Sequence, residues 1–499
     1  MISDAGERPV SENFFFSFSE MMRLSGHRPG KIIPLSRIPM NVSRYAMRAL
    51  CRAARHQARF VASSLLAFGL VAGSVSGASA EGFAITEWSA RGMALGGGAG
   101  GGMVARADDP SAVAYNPAGI TQVPGTATQM GMAVSMLNFD ISRADTGKTV
   151  STSDQAWPIP HFYVTHQLND NWWFGVGAFT RYGLGSQFPD NWTARSSRSP
   201  FPAGILSSGI KSVTLLSSTI NPNIAYKIND VWSVSAGVSY TWGYLSLNEQ
   251  YNMSMGDMIL GHADARIHSE NGYAFGYNFG LHARFNDEWS AGLTYRSRED
   301  MTFNGSTRFR FAGNPTAVGS LKQVMENCNA DGKLSIPDVV TLGVMYKPLP
   351  NLSFEGDVAY TVWSRYRNLT INMHSDRTPT FFEQKNWRDT WAFTFGVEYE
   401  PLDWLTLRAG FTYETSPLKD TNCYDYLVPS NGRNYYTLGA GFKYENWTLD
   451  LAYMYIDVRD INYSNRIGKQ GNVPLINTYE GKAHNSYAHN FGLTIGYRF

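Results

Sequence analysis

Apolar side chains occupy every second position in many segments of this 499-residue chain. In residues 273–285 one face carries Tyr, Phe, Tyr, Phe, Leu, Ala and Phe, and the other carries Ala, Gly, Asn, Gly, His and Arg. Successive side chains of a β-strand point to opposite faces, whereas a helix would mix the two sets. Residues 232–244 separate in the same way. The pattern predicts strands with one apolar face.

We count about fourteen such segments, and no window past residue 81 has the roughly 18 consecutive apolar residues of a spanning helix. Charged residues are only 17% of the chain and aromatic residues 14%, which fits a surface in contact with lipid. Unpaired backbone groups are not tolerated in hydrocarbon, so a membrane protein of this kind must be a closed barrel. We therefore expect an all-β fold: a 14-stranded antiparallel transmembrane β-barrel with an N-terminal plug. The segments begin near Thr126, Ile159, Trp172, Ser212, Val231, Tyr273, Trp289, Asp338, Leu352, Trp387, Trp404, Asn434, Trp447 and His489.

The connections alternate between short turns rich in Asn, Asp and Pro and long segments. The short turns include residues 169–171, 229–230 and 286–288, and the long connections include 246–272 and 311–337. Short turns on one rim and long loops on the other are typical of bacterial outer-membrane barrels, as is an even strand count.

Residues 1–80 have the features of an export signal. Five arginines between residues 44 and 59 precede an apolar segment, 60–75, and Ala78-Ser79-Ala80 fits a cleavage site before Glu81. A short membrane anchor is the alternative. Since the first 46 residues have no place in such a signal, we expect translation to start at Met40 or Met47.

Residues 81–124 are rich in glycine, lack strand alternation and are too apolar for a free tail. We expect this stretch to be a plug inside the lumen of the barrel, which comprises residues 125–499. Asp108 and Asp109 are candidate anchors of the plug to the wall. Asn116-Pro117-Ala118 can form a rigid turn, because proline fixes φ and asparagine bonds its own backbone.

Charge and cysteine content exclude several classes of partner. Ten of the 42 basic and four of the 41 acidic residues lie in the first 80, so the remainder carries 32 basic and 37 acidic residues, a net charge of −5. This balance argues against nucleic-acid binding. Three scattered cysteines fit no cysteine-based metal motif, and we expect no cofactor. Cys328 and Cys423 fall in long loops on one rim, where a disulfide is sterically possible.

Several short motifs in this order resemble one family, the FadL/TodX-type outer-membrane transporters of long-chain fatty acids and other hydrophobic compounds. The resemblance covers Gly82 to Phe499. Its motifs are Gly82-Phe83, Asp108-Asp109-Pro110-Ser111, Asn116-Pro117-Ala118-Gly119, Tyr182-Gly183-Leu184-Gly185, Leu293-Thr294-Tyr295-Arg296-Ser297, Trp363-Ser364 and Thr415-Ser416-Pro417.

The resemblance implies a fourteen-stranded barrel closed by an N-terminal hatch. It implies ligand capture by extracellular loops, a binding site beside the hatch with Phe83 inserted, and sideways exit into outer-membrane lipid through a kink in the third strand. That kink would lie in residues 172–182, where Gly175 and Gly177 would ease a bend. The terminal Phe499 resembles the signal read by the outer-membrane assembly machinery. We expect a monomer.

Two long connections carry candidate ligand contacts. Residues 246–272 contain Met253, Met255, Met258, Ile259 and Leu260, and residues 311–337 contain Leu321. Methionine is flexible and polarizable, so it suits a groove that accepts ligands of varied shape. We hypothesise that the two loops form an outer capture site. Alternatively, these side chains only pack the loops against each other.

Arg296 and Arg298 are candidate partners of a ligand carboxylate, since arginine binds carboxylates well. The alternative is that lumenal charges pair with one another or hold the plug. The sequence as a whole predicts a passive transporter of long-chain fatty acids or hydrocarbons and not an enzyme. A general diffusion porin and a lipid-acting outer-membrane enzyme are the alternatives, although the chain contains no G-x-S-x-G element.

Overall fold

The computed structural model describes residues 82–144, 147–152, 155–189, 205–255, 258–419, 428, 430–465, 468–470, 473–475 and 479–499. These residues lie in one compact unit. The predicted export segment, Cys51, Glu81 and Cys423 lie outside the described residues.

The described part of the chain is built mainly from strands. In chain order they are β1 Thr126–Arg143, β2 Thr149–Ser151, β3 Ala156–Gln167, β4 Trp172–Phe179, β5 Leu184–Gln187, β6 Ile205–Lys227, β7 Trp232–Met255, β8 Met258–Arg284, β9 Trp289–Arg296, β10 Glu299–Gly313, β11 Cys328–Ile336, β12 Val339–Leu349, β13 Leu352–Thr361, β14 Asn368–His374, β15 Phe381–Gln384, β16 Thr390–Leu402, β17 Leu405–Glu414, β18 Arg433–Tyr444, β19 Trp447–Val458, β20 Ile461–Asn465, β21 Gly468–Gln470, β22 Val473–Leu475 and β23 Tyr479–Arg498. The helices are α1 Ala90–Ala94, α2 Ala112–Tyr115 and α3 Pro315–Val324, with 3₁₀ turns at Pro117–Gln122 and Trp363–Arg365.

Fourteen antiparallel strands form a closed barrel wall, which confirms the predicted fold. The wall strands are β1, β3, β4, β6, β7, β8, β9, β12, β13, β16, β17, β18, β19 and β23. Closure is made by β1 and β23, which pair from Ala127↔Arg498 to Arg143↔Gly481. A closed barrel leaves no wall edge unpaired in the bilayer.

The outer face of the wall is apolar, as the alternation predicts. Phe275, Val238 and Leu438 are among its most exposed side chains. Aromatic pairs lie beside the short turns, such as Trp289 stacked on Tyr346 with ring centroids 4.3 Å apart. Such a girdle is typical of the membrane interface. No helix in the described ranges is long and apolar enough to cross a membrane.

Residues 246–272 were predicted as a long loop, but their described parts, 246–255 and 258–272, continue two wall strands. β7 and β8 stay paired from Leu245↔Ser269 up to Met255↔Met258. The lipid-facing alternation stops at the membrane boundary, but backbone pairing continues because strands beyond the bilayer need no apolar face. β10, β11, β14 and β15 extend the same sheet beyond the wall.

Residues 82–124, which we call the N-terminal segment, lie inside the ring of strands. The Ala90 amide donates to Thr494 of β23, the Gly102 amide to Asp357 of β13, and the Ala105 amide to Glu355 of β13. On other sides of the ring, Thr437 of β18 donates to the Ala94 carbonyl and Thr412 of β17 to the Gly96 carbonyl. Nearly all side chains of the segment are buried.

Two close contacts require glycine where the segment meets the wall and where it packs on itself. A Cβ at Gly410 of β17 would lie 2.3 Å from the Leu95 carbonyl carbon, and one at Gly119 would lie 2.2 Å from Ala107 Cβ. The segment therefore fits only because glycine stands on both the wall and the segment itself.

Candidate functional site

An apolar cavity with a free volume of about 50 Å³ lies at the loop end of the lumen. We call it the apolar pocket. Its apolar lining comes from β5, β6, β7, β8, β10, β11 and β14 together with the N-terminal segment. The residues are Phe83, Leu184, Val213, Leu215, Leu245, Leu247, Ile267, Phe303, Ala330, Leu334, Tyr366, Leu369, Ile371 and Val428, with His268, Ser269, Ser306, Asp331 and Lys333 as polar neighbours.

Phe83 joins the apolar pocket to an aromatic cluster on the N-terminal segment's side. Its ring centroid lies 5.0 Å from that of Trp363, 5.3 Å from Tyr366 and 6.1 Å from Tyr182, and the side chain is 1% exposed. Edge-on aromatic pairs of this kind are attractive beyond their buried area. The structure thus places the sequence-predicted Phe83 in the lining of the cavity.

The third wall strand is interrupted beside Phe83. β4 ends at Phe179 and β5 begins at Leu184, and the N-terminal segment pairs with the residues between them. The Ile85 amide donates to the Arg181 carbonyl at 2.7 Å, and the Gly183 amide donates to the Phe83 carbonyl at 2.9 Å. The N-terminal segment therefore supplies the backbone partners that the interrupted strand lacks.

The interruption leaves a stretch of β3 without a partner on one side. Pairing of β3 with β4 ends at His161↔Phe179, and residues 156–160 pair with β1 alone within the described chain. Pro158 and Pro160 lie in this stretch and have no N–H to leave unsatisfied. We call the space between residues 156–160 and β5 the lateral gap.

Side chains, and not backbone bonds, cross the lateral gap. The Trp157 ring contacts Gly185, and Gln155 Nε2 donates to Gln187 Oε1. A cleft of about 430 Å³ opens here, lined by Gln155, Ala156, Trp157, Ser186, Gln187, Ser212 and Thr214.

Gly175 and Gly177 lie in a part of β4 that is regularly paired with β6, before the interruption. A Cβ at Gly175 would lie 2.8 Å from Val113 Cγ2, and one at Gly177 would lie 2.9 Å from Tyr163 Cδ1. In the structure these glycines make room for the N-terminal segment, and the strand breaks further on, at residues 180–183.

The two predicted capture loops do come together. Met253 and Leu321 are buried in one apolar cluster with Ala263, Ala317 and Met325, and Leu260 packs at its edge. We call this the outer apolar cluster. Met258 and Ile259 beside it are exposed, and the side chain of Met255 lies outside the described part.

Arg296 bonds to the N-terminal segment. Its guanidinium donates to the carbonyls of Val113 and Ala114 and to Asn221 Oδ1, and it lies 5.6 Å from the ring centroids of Trp88 and Phe179. The side chain is buried. It therefore connects the N-terminal segment to three wall strands.

Arg298 points away from the apolar pocket and forms a bidentate pair with Asp300, at 2.9 and 2.6 Å. Its side chain is well exposed. Neither Arg296 nor Arg298 is among the residues that line the apolar pocket.

Buried ion pairs join the N-terminal segment to the wall below this region. Glu398 of β16 accepts from Arg91 and Arg106 of the segment and from Arg408 of β17. Arg91 also pairs with Asp108 at 2.6 Å and Asp109 at 3.1 Å. The two aspartates therefore bind the wall indirectly, through Arg91.

The Asn116 side chain also binds the N-terminal segment to the wall. Its oxygen accepts from the Ala118 amide, and its Nδ2 donates to the carbonyls of Val104 and Leu281. Pro117 begins the 3₁₀ turn that follows. The motif joins two parts of the N-terminal segment to β8.

Some titratable groups outside the spanning strands have pKa values shifted from their usual range. Burial raises the pKa of the Glu87 carboxyl and the pKa of the Cys328 thiol. A hydrogen bond from Asn372 holds the pKa of Asp331 below its usual range. No group of three potential metal ligands occurs among the residues that the structure describes.

Most residues of the apolar pocket were not predicted from the sequence, although the pattern of β6 indicates two of them. The inward positions of β6 carry Val213 and Leu215 and then Ser217, Thr219 and Asn221. The inward face thus switches from apolar to polar at the depth where the apolar pocket ends.

The structure is a transmembrane β-barrel with an apolar outer face. A segment of the chain lies within its lumen, and an apolar cavity lies above that segment. These features together define the class of outer-membrane β-barrels that have an apolar cavity in the lumen. The family model of outer membrane transport proteins (OMPP1/FadL/TodX) matches residues 71–499, and the chain belongs to that family. It is a multi-pass protein of the bacterial outer membrane.

Relatives agree with this assignment. The chain is 26% identical over 373 residues to a long-chain fatty acid transport protein of Escherichia coli O6:H1, covering 68% of this chain and 78% of that protein. It is 24% identical over 489 residues to outer membrane protein P1 of Haemophilus influenzae, covering 87% and 99%.

Solved structures share the fold. The crystal structure of a Pseudomonas aeruginosa FadL homologue superposes with a TM-score of 0.70 at 18% identity, covering 83% of this chain and 99% of the other. The Pseudomonas putida toluene transporter TodX gives a TM-score of 0.62 at 16% identity, covering 84% and 100%. At these identities the likeness establishes the fold alone.

Proposed function

We propose that this protein takes up hydrophobic small molecules, long-chain fatty acids or hydrocarbons, across the outer membrane without an energy source. The observation that carries the proposal is the apolar pocket, whose lining is almost entirely aliphatic and aromatic. Burial of each CH₂ group there would stabilise the complex by about 0.8 kcal/mol. Transport, and not catalysis, is the activity that such a lining supports.

The names of similar proteins support this substrate class. The Escherichia coli O6:H1 relative is named for long-chain fatty acid transport, and the TodX structure is that of a toluene transporter. Both kinds of molecule are predominantly apolar and would fit an aliphatic cavity.

The proposed route begins at the outer apolar cluster, where exposed Met258 and Ile259 would make first contact with a ligand. The ligand then enters the apolar pocket and meets Phe83. The N-terminal segment acts as a hatch in this proposal, because its burial and its ion pairs to the wall leave it filling the lumen below.

Exit in this proposal is sideways, through the lateral gap. Residues 156–160 lack a partner strand there, and the interruption of the third strand lies beside Phe83. A ligand leaving by this route would enter the bilayer without crossing an aqueous phase. Binding at the assembly machinery through Phe499 and a monomeric state are further parts of the proposal.

A ligand carboxylate would meet Arg296 only after displacing the carbonyls of Val113 and Ala114 from it. Arginine binds carboxylates in bidentate ion pairs, so a carboxylate that reached Arg296 would compete with these carbonyls. Arg296 would then couple arrival of a fatty acid to loosening of the hatch.

Uptake of labelled palmitate and labelled toluene by cells that depend on this protein tests the proposal. Leu215→Gln places an amide in the apolar pocket and should lower uptake of both ligands. The matched variant Ser217→Gln adds the same group one inward position lower, outside the lining. Equal uptake by wild type, both variants and cells without the protein would overturn the proposal.

A further inference from the structure

A basic groove lies on the outer side of the sheet whose inner side forms the apolar pocket, and Asp331 and Lys333 of β11 border both. Its nine lining residues include Arg298, Lys333, Arg365, Arg367 and Asp331, and its volume is about 560 Å³. Four of these nine side chains are cationic and one is anionic. Residues 81–499 as a whole carry a net charge of −5, so a local excess of cations is unusual for this chain.

Strand register determines which way the groove faces. In β11, Ala330, Leu334 and Ile336 are buried, and the first two line the apolar pocket. Lys333 alternates with them and lies in a cross-strand row with Thr302 of β10 and Thr370 of β14. Since alternate residues of a strand point to opposite faces, this polar row faces outward.

The groove lies just beyond the membrane-spanning wall. Tyr295, near the end of β9, donates its hydroxyl to Asp338, and Tyr360, near the end of β13, donates to Asp389. Outward tyrosines with bonded hydroxyls mark the boundary between hydrocarbon and head groups. Arg298 and Arg365 follow these strands by a few residues, which places the groove at the level of the outer-leaflet head groups.

Two of its cations form no ion pair within 4 Å among the described residues. Arg298 pairs with Asp300, Arg365 lies 3.8 Å from Asp338, and Asp331 pairs with His374. No described ion pair involves Lys333 or Arg367, and both side chains are exposed. The hydroxyl and amide groups of Thr370, Asn368 and Asn372 surround them.

We propose that the basic groove binds a phosphorylated glycolipid of the outer leaflet, with Lys333 and Arg367 on its phosphate groups and the neighbouring amides and hydroxyls on its sugar. The outer leaflet of a bacterial outer membrane presents phosphate at this depth, and juxtamembrane clusters of lysine and arginine attract anionic head groups. Phosphate bound by both cations would be held by charge-assisted hydrogen bonds. The glycolipid then covers the outside of the sheet whose inner face forms the apolar pocket.

Native mass spectrometry of the full-length protein, extracted from outer membranes in mild detergent, tests the proposal. Wild type should carry a bound phosphorylated glycolipid. The double variant Lys333→Gln/Arg367→Gln should lose affinity for added diphosphorylated lipid A by at least about tenfold, as expected when two charge-assisted contacts are removed. The control Arg284→Gln/Lys443→Gln removes two exposed cations near the short turns and should leave that affinity unchanged.

Two further arms decide the nature of the ligand. Inorganic phosphate that displaces lipid A at equal concentration would show a simple anion site and overturn the glycolipid assignment. Equal glycolipid occupancy in wild type and the Lys333→Gln/Arg367→Gln variant would overturn the site itself. Palmitate uptake should be retained in the single variant Arg367→Gln, whose residue does not line the apolar pocket, so failure of this inference is separable from failure of the transport proposal.

Discussion

The indole ring of Trp157 contacts Gly185 across the lateral gap, where no backbone bond joins β3 to β5. A Cβ on Gly185 would lie only 2.3 Å from Trp157 Cζ2, so the close approach requires glycine. Trp157 is buried by this contact although it lies in the stretch of β3 that lacks a partner strand. The side chain therefore closes an opening that the backbone leaves.

Trp157→Ala should increase the rate of ligand release into the membrane, because it removes the ring that fills the lateral gap. We expect uptake of labelled palmitate to rise when exit limits the rate. Trp289→Ala is the matched control, since it removes an exposed tryptophan beside a short turn far along the chain. A fall in uptake with Trp157→Ala in a folded barrel would contradict a gating role.

Phe83→Ala should loosen the N-terminal segment and spare the wall. Large-to-small changes of a buried phenylalanine cost about 3–5 kcal/mol, and the ring here contacts Trp363, Tyr366 and Tyr182. Hydrogen exchange of residues 82–95 should become faster, while exchange in β17 and β18 stays slow. Unchanged protection of residues 82–95 would show that Phe83 does not hold the segment.

Glu398→Gln should weaken the attachment of the N-terminal segment to the wall. It leaves Arg91, Arg106 and Arg408 converging on a neutral amide, and breaking a buried pair costs about 3–5 kcal/mol. Single-channel recording should reveal larger or more frequent ion conductance. Glu400→Gln, an exposed neighbour on the same strand, is the control, and equal conductance of the two variants would refute the argument.

Arg296→Gln should affect acidic and neutral ligands differently. Loss of the guanidinium removes the proposed carboxylate partner, so palmitate uptake should fall more than toluene uptake. A purely structural role, based on the bonds to Val113 and Ala114, predicts equal loss for both ligands. The ratio of the two uptake rates therefore distinguishes the roles even when the variant is less stable.

The barrel could be predicted from sequence because lipid imposes a strict rule on every wall strand. Lipid-facing positions such as Phe275 and Tyr277 must be apolar, whereas the inward positions between them, such as Gly276 and Asn278, need not be. The two-residue period of a strand is therefore visible in the sequence. The parts of the strands that extend beyond the membrane could not be predicted from alternation. β7 and β8 pair far past Gly243, where no lipid enforces alternation.

The candidate site was only partly predictable, for a related reason. Phe83 was found through a resemblance, whereas Leu247, Phe303 and Ile371 come from strands far apart in the chain. No local pattern shows that such residues meet. The contacts of Arg296 with Val113 and Ala114 were equally invisible, since they depend on where an irregular segment lies within the lumen.

Photo-crosslinking of the folded protein with a diazirine-labelled palmitate tests the central claim most directly. The account predicts labelled peptides that contain Val213 and Leu215, Leu245 and Leu247, or Leu369 and Ile371, with competition by unlabelled palmitate. Labelling confined to the lipid-facing residues of the wall, such as Phe275 and Leu438, would contradict it. That result would mean that the apolar pocket does not bind the ligand.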